Sequence, residues 1–278
     1  MKKLSNQELK KLQKIELEML YEFDRICKKH NLVYILAGGS CLGAVRHDGF
    51  IPWDDDIDIH MPRSDYEKFL TIQEEELNKD KYYFESLETT ENYPFVFAKI
   101  RRCNSIYAES ISDIDKEKQG IWIDIFPCDN VSDNDFKMKL DFMKVFFFKI
   151  MQANKNGNQS VSDSFLRSII LKIIYLISFL VPRKFCQKHL IKIMRKYENI
   201  ETKRVICYGG KWLFKEMFPA KYFNERILHK FEDGKFYITK DYDAFLTNLY
   251  GDYMKLPPKE KRCPEHLISE IKFPEDNL

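Results

Sequence analysis

Two hydrophobic periods run along this chain, and the places where one gives way to the other mark its elements. Leu9, Leu12, Leu20, Phe23 and Cys27 recur at helical spacing behind Ser5 and Glu8, a capping-box pair, which predicts a helix to about His30. LVYILAGG then reads as a buried strand ending in two glycines, with SCLGAVRHDG a short helix or turn after it. DIDIHM is a second strand, and Ser64 with Glu67 caps a helix to about Leu77. YYFES, FVFAKIR, SIYAE and GIWIDIF carry β-branched and aromatic residues at strand spacing. Toward the C-terminus, KFYITKDYDAFLTNLYGDYMKLPP predicts a strand or loop, a helix and a proline-stopped tail. This order implies an α+β fold, a mixed sheet flanked by helices.

The stretch between Lys137 and Lys196 differs from the rest. It holds 13 Lys and Arg against Asp141 and Asp163, a local charge of +11, so the remainder carries −9 of a total of +2. Within it, FLRSIILKIIYLISFLVP offers about 17 mostly apolar residues, broken by Arg167 and Lys172 and closed by Pro182. A membrane span needs roughly 20 clean apolar residues. The segment is therefore either a helix lying on an anionic membrane surface or a helical insertion packed on the core with solvated lysines. The chain divides accordingly into a core at 1–136, a basic helical insertion at 137–196, and a part at 197–278 that completes the core unit.

Composition narrows the field further. A chain of 278 residues, 44% hydrophobic, buries one large core or two small ones. The near-neutral total gives no sign of a nucleic-acid partner. Seven cysteines, odd in number and without a CxxC pair, argue against a zinc ribbon or disulfide framework and fit reduced thiols in a cytoplasmic protein. MKKLSNQELKKLQKIELEM lacks the apolar core of a signal peptide.

GFIPWDDDIDIHMP is the feature that asks for chemistry. Four carboxylates, Asp54, Asp55, Asp56 and Asp58, fall within five residues on the edge of an apolar run. Alternation along a strand puts Asp56 and Asp58 on one face and Ile57 and Ile59 in the core. Adjacent carboxylates are costly unless a cation lies between them, and Mg²⁺ (or Mn²⁺) takes carboxylate and phosphate oxygens together. A surface turn with Asp capping its own backbone would read the same locally. Gly38, Gly39 and Ser40, at the end of the preceding strand, would let backbone amides approach a phosphate. Asp124 interrupts the apolar strand GIWIDIFP, sharing a face with Trp122 and Phe126. Lys99 and Arg101 share a face with Phe97. They suit a polyphosphate, or surface salt bridges on a solvent-facing edge strand.

A glycine–serine strand end, a DxD on the next strand and a third Asp on a later one is the pattern of the nucleotidyltransferase fold. GGSCLGAVRHDGFIPWDDDIDIHMPRSDYEKF, IDIFP and LYGDYMKLPP together resemble the LicD family, the phosphocholine transferases related to fukutin and fukutin-related protein. The resemblance implies Mg²⁺-dependent transfer of a substituted phosphate, typically phosphocholine from CDP-choline, to a hydroxyl of a cell-surface glycan or teichoic-acid-type precursor. Relatives use other donors, including CDP-ribitol, so transfer of another CDP-linked alcohol phosphate (ribitol, ethanolamine, glycerol) is the alternative. Carried over by position, the metal-binding and catalytic residues are Asp56, Asp58 and Asp124. Gly38, Gly39, Ser40, Arg46 and His47 are the substrate-binding residues of the first block, and Lys99 and Arg101 are candidates to bind the phosphates. Trp122 and Trp53 are candidates for a choline cage. Cys41 departs from the family's larger aliphatic, and KRCPEHL keeps only His266 where many members carry adjacent histidines, which puts a catalytic role for the tail in doubt. Nucleotidyl transfer from an NTP and glycosyl transfer are the enzymatic alternatives; a membrane-surface binding module is the non-enzymatic one. The implied location is cytoplasmic, peripheral at the inner membrane face.

Overall fold

A computed structural model of the chain describes residues 3–91, 93–109, 119–155 and 165–277. It opens with α1 (Asn6–Lys29), whose capping box forms as the sequence predicts. The Glu8 amide donates to the Ser5 hydroxyl at 3.2 Å, and the Ser5 amide to the Glu8 carboxylate at 2.9 Å. There follow β1 (Ile35–Leu36), α2 (Gly38–His47), β2 (Asp58–Pro62), α3 (Arg63–Glu76), β3 (Tyr82–Glu85), β4 (Ala98–Arg102), β5 (Ile106–Glu109) and β6 (Trp122–Asn130). Helices α4 (Asp135–Lys155), α5 (Phe165–Leu180) and α6 (Arg183–Met194) form the basic middle. The last part comprises β7 (Arg204–Cys207), β8 (Met217–Pro219), α7 (Lys221–Asn224), β9 (Arg226–Phe231), β10 (Gly234–Thr239), α8 (Tyr242–Tyr250) and β11 (Ile268–Lys272). The α+β class holds.

The main sheet is mixed. Its order is β1-β2-β6-β4-β3, with β7 also paired to β6 and β8 to β7. Strand β6 is the spine: β2 runs parallel along one side, while β4 and then β7 share the other, both antiparallel. Nine residues long and buried for eight of them, β6 can serve three partners. Registers fix which residues share a face. Asp58 lies opposite Asp124 and His60 opposite Phe126, and Asp124 in turn lies opposite Lys99. Ile57, Ile59, Ile123 and Ile125 turn the other way and are wholly buried in a core with Leu12, Phe23 and Phe69. Hydrophobic packing of the odd-numbered residues thus sets the even-numbered carboxylates on the opposite face.

Three local expectations change. The glycine pair does not end a strand: β1 stops at Leu36, and Gly38, at φ +48°, opens α2. That backbone angle, easy for glycine, breaks the extended run. Ser64 does not cap α3, which starts two residues earlier than such a cap implies, behind Pro62 and without a side-chain cap, and the Ser64 hydroxyl bonds Asp65 instead. Arg63 is drawn inward by Asp129, which it grips through two hydrogen bonds of 2.7 and 3.0 Å. Finally, β4 lies between β6 and β3 and is not an edge strand, so Lys99 and Arg101 are buried rather than solvent-facing.

The middle segment is packed on one side and open on the other. Leu190, Met194, Met138 and Val145 pack with Val131 and Ile206 of the sheet region, and Ile150, Met151, Ile174 and Cys186 form a smaller cluster among the three helices. The far side of α5 stays apolar and open, with Leu176 66% and Leu180 84% exposed beside Ile170, Ile173 and Phe179. Among the described residues no helix is long and apolar enough to cross a membrane. Asp163 of the basic segment lies outside the described residues.

Candidate active site

The acidic run sits where α2 begins, and the glycines explain how it gets so close. A Cβ on Gly38 would meet an Asp58 oxygen at 2.8 Å, and one on Gly39 an Asp54 oxygen at 2.7 Å. The N-terminus of α2, with its free amides and positive pole, therefore faces two carboxylates. Ser40 adds a direct tie: the Asp58 amide donates to its hydroxyl at 2.9 Å. Ser40 thus shapes the turn through the backbone of the residue it accompanies.

Asp54, Asp55 and Asp56 bring carboxylate oxygens within 4.8 Å of one another. Burial first, then the charges of Asp56 and Asp55, push the Asp54 carboxyl well above the ordinary range. Burial together with Asp56, Asp124 and Asp54 does the same to Asp58. Asp56 is raised to about 7 by burial, which the nearby His266 opposes and Asp55 and Asp124 reinforce. These carboxylates repel one another in a poorly solvated place and offer only oxygen donors. That donor set fits a hard divalent ion such as Mg²⁺.

Asp55 behaves differently from its neighbours. It is fully buried, and accepts from the Tyr107 hydroxyl at 2.6 Å and from the amides of Glu265 and His266 at 3.0 and 3.2 Å. Burial alone would raise it, but His266, Tyr107 and the Glu265 amide hold it below its ordinary value. Asp55 is a latch that pins the C-terminal tail to the site, and it carries His266 with it. The His266 ring lies 3.4 Å from an Asp55 oxygen, 4.0 Å from an Asp56 oxygen, and edge-on to Trp122 with centroids 5.3 Å apart. Burial disfavours its charged form, yet Asp55 and Asp56 outweigh burial and raise it to about 9.

The cations of β4 are committed to partners. Lys99 Nζ donates to Asp124 at 2.7 Å, and Arg101 pairs with Glu85 and donates to the Gly120 carbonyl at 2.9 Å. Trp122 is buried with Lys99 Nζ 4.1 Å from its ring centroid and the Arg101 guanidinium at 5.3 Å, so protein cations already engage the ring proposed for choline. Trp53 is half-buried, with the Arg262 guanidinium 5.7 Å from its ring and His47 at 6.3 Å. Arg46, at the far end of α2, donates to His47 at 3.0 Å and to the Tyr253 carbonyl at 2.6 Å. Burial lowers its pKa, while the charge of Asp54 acts against that. Gly38, Gly39, Ser40, Asp56, Asp58, Asp124 and Lys99 thus converge, Arg46 and His47 stand at the rim of the same helix, and Arg101 is two residues further along β4.

Two residues escaped the sequence. His266 was set aside because its usual neighbour is missing, though only its place beside Asp55 matters. Glu16 belongs to the buried stripe of α1, and both its carboxylate oxygens are buried without a hydrogen-bond partner. Burial, then Asp56, Asp55, Asp54 and Asp124, raise its carboxyl well above the usual range. A carboxylate at a stripe position was the available signal.

The comparisons with known proteins follow this geometry. The family described as LicD/FKTN/FKRP, nucleotidyltransferase domain, matches residues 31–156, which include the acidic run and Asp124. The lipopolysaccharide cholinephosphotransferase LicD of Haemophilus influenzae is 33% identical over 278 residues, covering 96% of this chain and 98% of that protein. An uncharacterised protein of Rickettsia typhi is 38% identical over 55 residues, 20% of this chain and 18% of its own length. With one relative aligned end to end and the family match spanning the carboxylate cluster, the chain belongs to the LicD family and is an enzyme of the LicD type.

Proposed function

We propose that this enzyme transfers phosphocholine from CDP-choline to a hydroxyl of a lipopolysaccharide-type glycan precursor, with Mg²⁺ held by Asp56 and Asp58 and with Asp124 as the base. The observation that carries this is the cluster of mutually repelling, oxygen-only carboxylates at the start of α2 in a chain aligned end to end with a cholinephosphotransferase. The unpartnered buried carboxylate of Glu16 beside them supports a cation at the site. Asp56 and Asp58 would hold Mg²⁺, whose charge would offset the negative charge gathering on the phosphate. Lys99 holds one oxygen of Asp124 and so fixes its carboxylate, leaving Oδ2 to take the proton of the attacking hydroxyl. The acceptor oxygen bonds the phosphorus that carries choline, the bond to CMP breaks, and CMP leaves with the electron pair. His266, in its imidazolium form, and Arg46 supply positive charge facing the phosphates. The nucleotidyltransferase-like fold is part of this proposal.

The exposed apolar side of α5, flanked by Lys172 and Lys184, supports a peripheral position on an anionic membrane at the cytoplasmic face, where lipid-linked acceptors present their hydroxyls. The deciding experiment is CMP release from a panel of CDP-choline, CDP-ethanolamine, CDP-ribitol and CDP-glycerol, with Mg²⁺, Mn²⁺ or chelator. Release from CDP-choline only with metal is expected. Release from another donor alone reassigns the transferred group, and release undiminished in chelator refutes the metal.

A further inference from the structure

We propose that His60, Cys128 and Cys207 form a second metal site, a thiolate–imidazole site for a zinc-class divalent ion, on the same sheet face as the carboxylates. The three side chains come from three adjacent strands. His60 lies opposite Phe126, Cys128 follows two residues along the same face of β6, and Cys207 of β7 lies directly opposite Cys128. A ring nitrogen of His60 and the two sulfurs all fall within 4.8 Å of one another. All three residues are buried, at 4%, 1% and 2% exposure.

A second observation points to a ligand. Nδ1 of His60 is buried without a hydrogen-bond partner, and its ring is packed among Phe126, Phe218 and Phe245. A polar atom in such aromatic surroundings is costly to bury unless something binds it. Two sulfurs and an imidazole select zinc and its like over the hard ions suited to the aspartates. The ligands stand far apart in sequence, which is why no CxxC motif announces them.

The consequence for the enzyme is positional. Asp58 precedes His60 by two residues on β2, and Asp124 precedes Cys128 by four on β6. An ion joining His60 to Cys128 and Cys207 therefore locks the registers of β2, β6 and β7 that set the carboxylates in place.

The test loads Co²⁺ onto the full chain, purified without metal-affinity steps and with its thiols reduced and counted. A thiolate-to-cobalt charge-transfer band saturating at one equivalent per chain is expected, displaced by Zn²⁺ but not by excess Mg²⁺. Cys128→Ser and Cys207→Ser should each lose most of that band, whereas Cys103→Ser and Cys263→Ser keep it. The proposal is overturned if the reduced wild-type protein shows no such band, if the band survives in both Cys128→Ser and Cys207→Ser, or if Mg²⁺ displaces it. A Cys128–Cys207 disulfide in protein isolated under reductant would overturn it as well. Should the two serine variants fail to fold, the wild-type spectrum and its competition by Mg²⁺ decide alone.

Discussion

Replacing Asp56 by Asn is expected to abolish transfer and yet to stabilise the metal-free protein at about pH 8. Asp56 is raised from 3.8 to about 7, so ionising it in the folded state costs on the order of 4 kcal/mol at 1.36 kcal/mol per tenfold. The unfolded chain releases this proton near 3.8 and the folded chain keeps it to about 7. Between those values the unfolded state binds fewer protons, and stability falls as pH rises. Asn escapes that loss. The advantage of Asp56→Asn should thus be near zero below the lower value and grow toward its full size above the higher one. Asp55→Asn, one residue away, supplies the opposite sign. It breaks a buried carboxylate that accepts from Tyr107, Glu265 and His266, at a cost of about 3–5 kcal/mol. Because Asp55 is held below its ordinary value, its contribution is present above the unfolded value and disappears as pH falls through the folded one. Urea denaturation in chelator from about pH 2 to about pH 8 measures both variants, and added Mg²⁺ should stabilise wild type more than Asp56→Asn. The reasoning fails if Asp56→Asn is less stable than wild type at about pH 8 in chelator, or if its advantage does not change with pH.

The other predictions concern the partners of this cluster and the exposed helix. His266→Gln should lower CMP release at least about tenfold. Because His266 is raised from 6.5 to about 9, wild type should exceed this variant in stability by a constant amount below the lower value, a lead that vanishes as pH rises through the higher; a lead that persists at about pH 10 would refute the ion pair. Lys99→Met leaves Asp124 buried without its cation and should cost about 3–5 kcal/mol by denaturation, most of it recovered in Lys99→Met/Asp124→Leu; a loss below about 1 kcal/mol would contradict the pairing. Leu176→Asp with Leu180→Asp should weaken co-sedimentation with anionic vesicles by about 2 kcal/mol, roughly thirtyfold, and raised salt should weaken it further; unchanged binding would place the interface elsewhere.

Most of what the sequence determined is local and periodic. The capping box of α1, the alternation that sends Ile57 and Ile59 inward and Asp58 outward, and the burial of β6 all depend on neighbours a few residues apart. The acidic run, with Asp124 in its apolar strand, was legible for a related reason: charged residues in apolar patterns stand out without any structure. Tertiary structure decided the partners. That β4 lies inside the sheet turned Lys99 and Arg101 from surface cations into buried counterions of Asp124 and Glu85. The tail's return to Asp55 delivered His266 across 211 residues, and adjacent strands gathered His60, Cys128 and Cys207. Periodicity tells which face a side chain takes, because that follows from backbone geometry alone. Which other face it meets depends on strand order and long-range closure, and a one-dimensional pattern carries neither.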